Sequence, residues 1–267
     1  MSFANHDYDL MVVGNDAPAE LLLQMAEAFG LAVVQVESDN IRFRDRHQVE
    51  LVSHQGDSLV IEERFSTNNV VLAMGGQARK MVWDLPDQQL YYPEQLSERR
   101  LATLPDPILV VGAGDQGQSV VGQLQRMKRE IYWCDGRFSQ QWSHPMCFSN
   151  VSVMTEDILT VRSRNQQVLV MTENGTEFEV SCVVSCTGRV GNTHRFDLSP
   201  LGLGVDDNSK LWCNEHGETW THGVFAIGAV VGYPNPQAAA DQLVAGILER
   251  VMSRSVKSQY ANSFVRL

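Results

Sequence analysis

The 267-residue sequence has few cysteines and no paired cysteine motif. The five cysteines are Cys134, Cys147, Cys182, Cys186 and Cys213. An odd number without a CxxC pair is typical neither of a disulfide framework nor of a zinc site. The sequence therefore predicts free thiols and a reducing, cytoplasmic compartment. We expect Cys134, Cys182 and Cys186 to be buried, whereas Cys147 and Cys213 fall in loops where a thiol can react.

Long apolar runs and metal-binding motifs are also missing. No apolar stretch reaches the ~18–20 residues that a membrane-spanning helix needs, and residues 1–9 are polar, unlike a secretory signal. The seven histidines are scattered, without an HExxH motif or another paired spacing. The sequence therefore predicts no membrane association and no metal site.

Basic residues are fewer than acidic ones. There are 21 Lys and Arg against 32 Asp and Glu, which gives a formal net charge of −11. Phosphate-rich surfaces repel such a chain, which argues against nucleic acids and anionic membranes as partners. Apolar residues make up 43%, enough for the core of one large domain or two modest ones.

One βαβ pattern occurs twice in the chain, over residues 9–37 and 108–135. Each copy has an apolar strand that ends in glycine, a segment with helical spacing, and a second buried strand that ends in an acid. The first glycine and the acid stand 23 residues apart in both copies: Gly14 and Glu37, then Gly112 and Asp135. Two matched copies predict two dinucleotide-binding folds in one chain.

The segments between and after these copies indicate further strands and a last helix. Residues 47–65 and 166–184 alternate in polarity around turn residues, so each is predicted to form a β-hairpin. A buried strand is expected within 222–232 and an amphipathic helix over 237–252. We expect a loose tail over 253–267.

The second copy carries a complete glycine motif, Gly112-Ala113-Gly114-Asp115-Gln116-Gly117. In this motif the first glycine makes a tight turn, the second lets a pyrophosphate approach the backbone, and the third lets helix and strand pack closely. With Asp135 as the ribose-binding acid, the pattern predicts an NAD(P)(H) site; the alternative is a retained fold with an idle loop. Asp135 favours NAD(H). Arg137 is either a ligand for the 2′-phosphate of NADP(H) or an exposed loop cation.

The first copy departs from this motif. It reads Gly14-Asn15-Asp16-Ala17-Pro18-Ala19, so Asp16 replaces the second glycine and Ala19 the third. A side chain at Asp16 obstructs the approach of a ligand, and its charge opposes a diphosphate. Two like charges at ~4 Å cost about 1 kcal/mol in water and about 4 kcal/mol at an effective dielectric constant of 20. Glu37 is then either a ribose-binding acid or an ordinary acid at the end of a strand.

Five segments, in this order, resemble the two-dinucleotide-binding-domain flavoproteins, the glutathione-reductase-like pyridine nucleotide–disulfide oxidoreductases. They are YDLMVVG (8–14), NNVVLAMGGQAR (68–79), ILVVGAGDQG (108–117), SCTGRVGNT (185–193) and THGVFAIGAVVGYPNPQAAADQ (221–242). The resemblance implies an α/β fold of two Rossmann-like, three-layer domains, one inserted in the other. An FAD-type domain would comprise residues 1–103 and 188–252, and an NAD(P)-binding domain residues 104–187.

The resemblance also implies site residues. Those at FAD positions are Gly14, Asp16, Ala19, Glu37, Gly75, Gly188, Arg189 and Gly228. Those at NAD(P) positions are Gly112, Gly114 and Gly117. Ala229 follows Gly228 where the family has an aspartate that contacts the flavin, and we expect this departure to be independent of the one at Asp16.

In this family hydride passes from the nicotinamide to the flavin. Residues 38–68 contain no cysteine, although disulfide reductases have a CxxxxC pair there, and the chain ends about where the family's dimerisation domain is expected to begin. Two hypotheses follow. One is an NAD(P)H-dependent flavin oxidoreductase with a degenerate FAD site and no assigned catalytic residue. The other is a non-catalytic NAD(P)-binding protein that has lost FAD and acts in regulation or on an unknown protein partner.

Overall fold

The computed structural model describes residues 5–37, 40–55, 58–136, 149–233 and 240–264. The chain forms two compact units, the first from residues 1–77 and 190–267 and the second from residues 78–189. The sequence places the first crossing between units near residue 103, whereas the second unit begins at Ala78. The reason is that residues 90–91 form a strand in the sheet of the second unit.

Twenty strands are found in the described ranges: β1 Asn5–Tyr8, β2 Leu10–Val13, β3 Val33–Val36, β4 Ile41–Phe43, β5 Gln48–Gln55, β6 Ser58–Thr67, β7 Val70–Leu72, β8 Gly76–Ala78, β9 Leu90–Tyr91, β10 Ile108–Val111, β11 Ile131–Cys134, β12 Val151–Met154, β13 Ile158–Arg164, β14 Gln167–Thr172, β15 Glu177–Val180, β16 Cys182–Ser185, β17 Arg189–Gly191, β18 Leu211–Trp212, β19 Val224–Ala226 and β20 Val231–Tyr233. The α-helices in the same ranges are α1 Ala17–Ala28, α2 Glu98–Thr103, α3 Asp115–Arg126 and α4 Ala240–Phe264.

The first unit is built on a parallel sheet with the strand order β19-β7-β2-β3. Its strands are short and continuously apolar, which suits a sheet covered on both faces. On one face, Leu22 of α1 and Ile247 of α4 pack against Phe225, and all three side chains are buried. On the other face, Met11 and Phe43 belong to one buried cluster, which connects the parallel sheet to the sheet β1-β6-β5-β4.

The second unit repeats this plan. Its parallel sheet has the order β12-β11-β10-β16-β9. Leu101 of α2 and Leu124 of α3 pack on one face, and the antiparallel sheet β13-β14-β15 packs on the other through Val168 and Val180. The predicted α/β class with two Rossmann-like, three-layer domains is confirmed.

Both predicted hairpins are confirmed, because β5 pairs with β6 and β14 with β15 in antiparallel register. The expected end of the last helix is wrong: α4 continues from residue 252 to Phe264, through most of the expected tail. Arg254 at the beginning of this extension donates hydrogen bonds to Asn69 and Glu218, which hold the helix against the rest of the first unit.

Candidate functional site

The carboxyl ends of the parallel strands carry a glycine loop in each unit, after β2 in the first and after β10 in the second. The first glycine of each loop has a left-handed backbone, with φ of 104° at Gly14 and 111° at Gly112. A Cβ atom would lie 2.3 Å from the carbonyl oxygen of Ala73 in the first case and of Cys186 in the second. Close backbone packing therefore requires glycine at both positions, whether or not a ligand binds.

The third position of the loop also has a structural role. A Cβ atom on Gly117 would lie 2.0 Å from the carbonyl oxygen of Gly112, so α3 approaches β10 too closely for a side chain there. In the first unit Ala19 takes this position and is fully buried in α1. Gly112, Gly117, Gly14 and Ala19 are therefore all explained by packing within the fold.

The second position differs between the loops. Gly114 is the residue before α3, with an extended backbone (φ −67°, ψ 178°) that any residue adopts. No described atom would lie within 4 Å of a Cβ on Gly114. Because glycine has no side chain, this N-cap residue accepts no hydrogen bond from the first N–H groups of α3 through a side chain. Packing does not require glycine here. The open space lies where the first N–H groups of a helix need partners.

Asp16 occupies the equivalent position before α1 and fills it. Its Oδ1 accepts a hydrogen bond from the Ala17 N–H at 3.1 Å, and its Oδ2 accepts one from the Ala229 N–H at 2.8 Å. A Cβ on Gly228, whose φ is 76°, would lie 2.1 Å from Asp16 Oδ2. A Cβ on Gly75, whose φ is 66°, would lie 3.5 Å from Asp16 Cγ. The carboxylate thus lies among the glycine turns at the ends of three parallel strands.

The two departures at Asp16 and Ala229 lie next to each other in the fold, and their independence stays a prediction. The Asp16 carboxylate accepts the backbone N–H of Ala229. Sequence reasoning missed this contact because 213 residues separate the two positions. The available signal was that both depart from the family pattern around the same expected ligand.

The acids at the ends of the second strands have different surroundings. Asp135 is buried, and its Oδ2 accepts a hydrogen bond from the Ala113 N–H at 2.6 Å, so this carboxylate is held against the second loop. Glu37 is exposed, and its Oε2 lies 3.5 Å from Asn15 Nδ2. Arg137 lies outside the described residues.

Gly188 and Arg189 follow β16 and lie in the second unit. Gly188 has φ 113°, and no described atom would approach a Cβ there within 4 Å. Arg189 forms an ion pair with Glu94, with 3.4 Å between Nη1 and Oε1. The Gly188 carbonyl accepts the Arg79 N–H at 2.9 Å, just after β8, and the expected place of both residues at FAD positions stays a prediction.

The two loops fit a dinucleotide differently. The second loop has an open second position and a buried acid beside it, which suits a pyrophosphate and a ribose. The first loop does not fit a pyrophosphate in the same way, because the Asp16 carboxylate already accepts the Ala229 N–H.

The described thiols are free and buried. They are Cys134, Cys182, Cys186 and Cys213. Burial raises the pKa of each to about 12. The burial expected for the first three is confirmed. The expectation that Cys213 can react is wrong, because this side chain is only 7% exposed. Cys147 lies outside the described residues.

Within the described ranges, no helix is long and apolar enough to cross a membrane. In those ranges, no group of three or more His, Cys, Asp or Glu side chains is arranged to hold a metal ion.

Known proteins resemble the chain in sequence and in fold. A soluble pyridine nucleotide transhydrogenase of Colwellia psychrerythraea is 26% identical over 210 residues, which cover 74% of this chain and 44% of that protein. The chain thus spans less than half the length of that relative. The Cu(II) complex of an HOCl-induced flavoprotein disulfide reductase from Escherichia coli matches 91% of this chain and 70% of its own, with a TM-score of 0.69 and 11% identity.

A thioredoxin reductase from T. acidophilum matches 94% of this chain and 99% of its own, with a TM-score of 0.66 and 13% identity. At these identities the structural matches support the fold alone. The sequence profile described as pyridine nucleotide-disulphide oxidoreductase matches residues 11–244. With both glycine loops and most of the chain inside that match, the protein belongs to the pyridine nucleotide-disulphide oxidoreductase family.

Proposed function

We propose that the protein binds a nicotinamide dinucleotide, NAD(H) or NADP(H), at the loop Gly112–Gly117 of the second unit. The observation that carries this proposal is the open space at Gly114, where packing gives no reason for a glycine. At its neighbours Gly112 and Gly117 an added Cβ would lie less than 2.5 Å from a backbone oxygen, so packing requires glycine at both. A glycine without a packing role, at the start of a helix in this motif, suits close approach of a pyrophosphate.

The chain's own groups would hold the dinucleotide as follows. The first N–H groups of α3 donate to the pyrophosphate, and the partial positive charge of the helix start favours the negative group. Asp135 accepts from a ribose hydroxyl while its Oδ2 remains on the Ala113 N–H. Bound NADH or NADPH supplies a hydride from nicotinamide C4.

The first experiment is a titration of wild type and Gly114→Asp with NADH and NADPH separately, followed by nicotinamide fluorescence. A carboxylate at ~4 Å from the pyrophosphate costs about 1–4 kcal/mol, so the variant should bind about five-fold to about a thousand-fold more weakly. This substitution reproduces in the second loop the residue that the first loop has at Asp16. Equal affinities for wild type and variant would mean that the site is assigned wrongly.

Gly122→Asp is the matched control. Gly122 lies in the same helix, about 12 Å further along the axis, and no described atom would lie within 4 Å of a Cβ there. This variant introduces the same charge and the same side chain into α3, away from its start. We expect its affinity for both nucleotides to stay within about two-fold of wild type, because the charge then lies a full Debye length or more away.

Family membership favours a second candidate, a transhydrogenase-like or diaphorase-like oxidoreductase that uses NAD(P)H. It differs from the first in requiring turnover. Oxidation of NADH or NADPH by an artificial acceptor, with FAD supplied in excess, is the measurement that separates the two. No acceptor reduction above the protein-free rate would leave nucleotide binding without catalysis.

A further inference from the structure

The start of α1 in the first unit is an anion-binding cradle that already contains an anion. The Ala17 N–H belongs to the first turn of α1, and the Ala229 N–H belongs to the short 3-10 turn Gly228–Val230. Both donate to the same carboxylate, that of Asp16. Two backbone donors from elements far apart in the chain are thus directed at one point, at the edge where β2, β7 and β19 end.

The glycines around this point show how the carboxylate occupies it. The Asp16 oxygen lies where a Cβ of Gly228 would be 2.1 Å away, and its Cγ lies 3.5 Å from where a Cβ of Gly75 would be. These glycines leave space against the ends of the strands, and the side chain of Asp16 occupies it. The equivalent space in the second unit, at Gly114, is empty, because no described atom would lie within 4 Å of a Cβ there.

We propose that Asp16 acts as a built-in substitute for a ligand phosphate and by itself closes the first unit to a dinucleotide. Its charge, its two backbone donors and its place at a helix start are those that a pyrophosphate oxygen would have. A ligand diphosphate would have to displace the carboxylate from the Ala229 N–H and then remain beside its charge. This inference does not depend on nucleotide binding by the second unit.

The test is to open the cradle. Asp16→Gly gives the first loop the glycine that the second loop has at Gly114. Wild type and variant are each incubated with FAD, desalted and examined by visible absorption, and FAD affinity is measured by quenching of flavin fluorescence. We expect wild type to be colourless after desalting and Asp16→Gly to bind FAD at least ten-fold more tightly. Equal affinity in the two proteins, whether both bind or neither does, would overturn the proposal.

Two further variants control for folding and for charge. Asp16→Ser keeps a side-chain acceptor at the N-cap of α1 but is uncharged and too short to reach the Ala229 N–H, so it should also open the cradle if Asp16→Gly folds poorly. Asp9→Ser removes the same charge just before β2, where the Asp9 carboxylate accepts the Ala32 N–H. FAD affinity that rises equally in Asp9→Ser would also overturn the proposal, because net charge would then explain the effect.

The outcome is separable from that of the proposed function. Asp16 and Gly114 lie in different units, and the two titrations use different nucleotides with different optical signals. If Gly114→Asp leaves NADH binding unchanged while Asp16→Gly gains FAD, only the assignment of the second unit fails. If the reverse holds, only the closed cradle fails.

Discussion

At the scale of single residues, the glycines of the two loops have different physical reasons for being glycine. Gly112 and Gly117 are glycines because neighbouring backbone oxygens leave no room for a Cβ. Gly114 has room for a side chain and an ordinary extended backbone. The sequence motif treats all three alike. The folded structure separates the two that serve the fold from the one that we propose serves a ligand.

The cysteines give a prediction at the same scale. A thiol with a pKa of about 12 is thiolate in only ~0.01% of molecules at about pH 8, and the thiolate is the reactive form. We expect Ellman's reagent to modify at most one thiol of the native protein rapidly, Cys147, and all five in denaturant. Cys147→Ser should abolish the rapid phase. Two or more fast thiols in native wild type would contradict the burial of the other four.

At the scale of elements, a buried carboxylate holds the last helix in place. Glu218 is 6% exposed and accepts hydrogen bonds from the Gly223 N–H at 3.0 Å and from Arg254 of α4 at 2.6 Å. Burial alone would raise the pKa of Glu218. The hydrogen bonds from Gly223 and Arg254, with the charges of Arg254 and His222, outweigh burial and hold that pKa below its ordinary value of 4.5.

This arrangement predicts a pH-dependent stability. A carboxylate with a lowered pKa in the folded state stabilises it above the unfolded value, and the contribution is lost as the pH falls through the folded pKa. Glu218→Gln should lower the free energy of unfolding by about 2 kcal/mol at about pH 7. The difference from wild type should shrink at about pH 3, because the contribution of a carboxylate with a lowered folded pKa decreases once the pH falls below the ordinary value of 4.5.

Urea unfolding at both pH values is the measurement. Glu249→Gln is the control, because Glu249 is an exposed residue of α4, the helix that Glu218 holds in place. A Glu218→Gln deficit that is the same at both pH values would mean that the charge of Glu218 is not the cause. The control should stay within about 0.5 kcal/mol of wild type throughout.

The same elements show what periodicity can and cannot predict. The strands β2, β10 and β19 are apolar runs closely followed by a glycine, and the apolar pattern alone predicts them. The pattern does not predict the end of α4, because residues 253–264 are polar with scattered apolar positions. The helical conformation of this segment is stabilised in part by Arg254, whose hydrogen-bond partners Asn69 and Glu218 are 185 and 36 residues away in the chain. Local patterns carry no information about such partners.

At the scale of the whole molecule, two similar units differ in what they offer a ligand. We expect saturating NADH to slow amide hydrogen exchange at residues 112–117 and 131–136 of the second unit. It should leave the loops 14–19 and 228–230 of the first unit unchanged, because the Asp16 carboxylate already satisfies the donors there. Hydrogen–deuterium exchange with mass spectrometry is the measurement. Protection of the first unit's loops by NADH would contradict the assignment of the nucleotide to the second unit.

The fold of both units could be predicted from the sequence because it depends on local features, such as buried strands, tight glycine turns and helical spacing. The state of the first loop could not. The sequence shows a carboxylate at Asp16 and an alanine at Ala229, but only folding brings the carboxylate onto the backbone N–H across 213 residues. A prediction from the sequence could say that a ligand is disfavoured there, but not that the protein supplies its own anion.

The contrast between Asp16 and Gly114 has a genetic consequence. A glycine codon GGC and an aspartate codon GAC differ by one base, and the same holds for GGT and GAT. On the proposal above, one transition would open the first unit to a dinucleotide and one would close the second. Binding capacity in this fold would then be gained or lost by single point mutations, so natural variants at these two positions are the ones to sequence first.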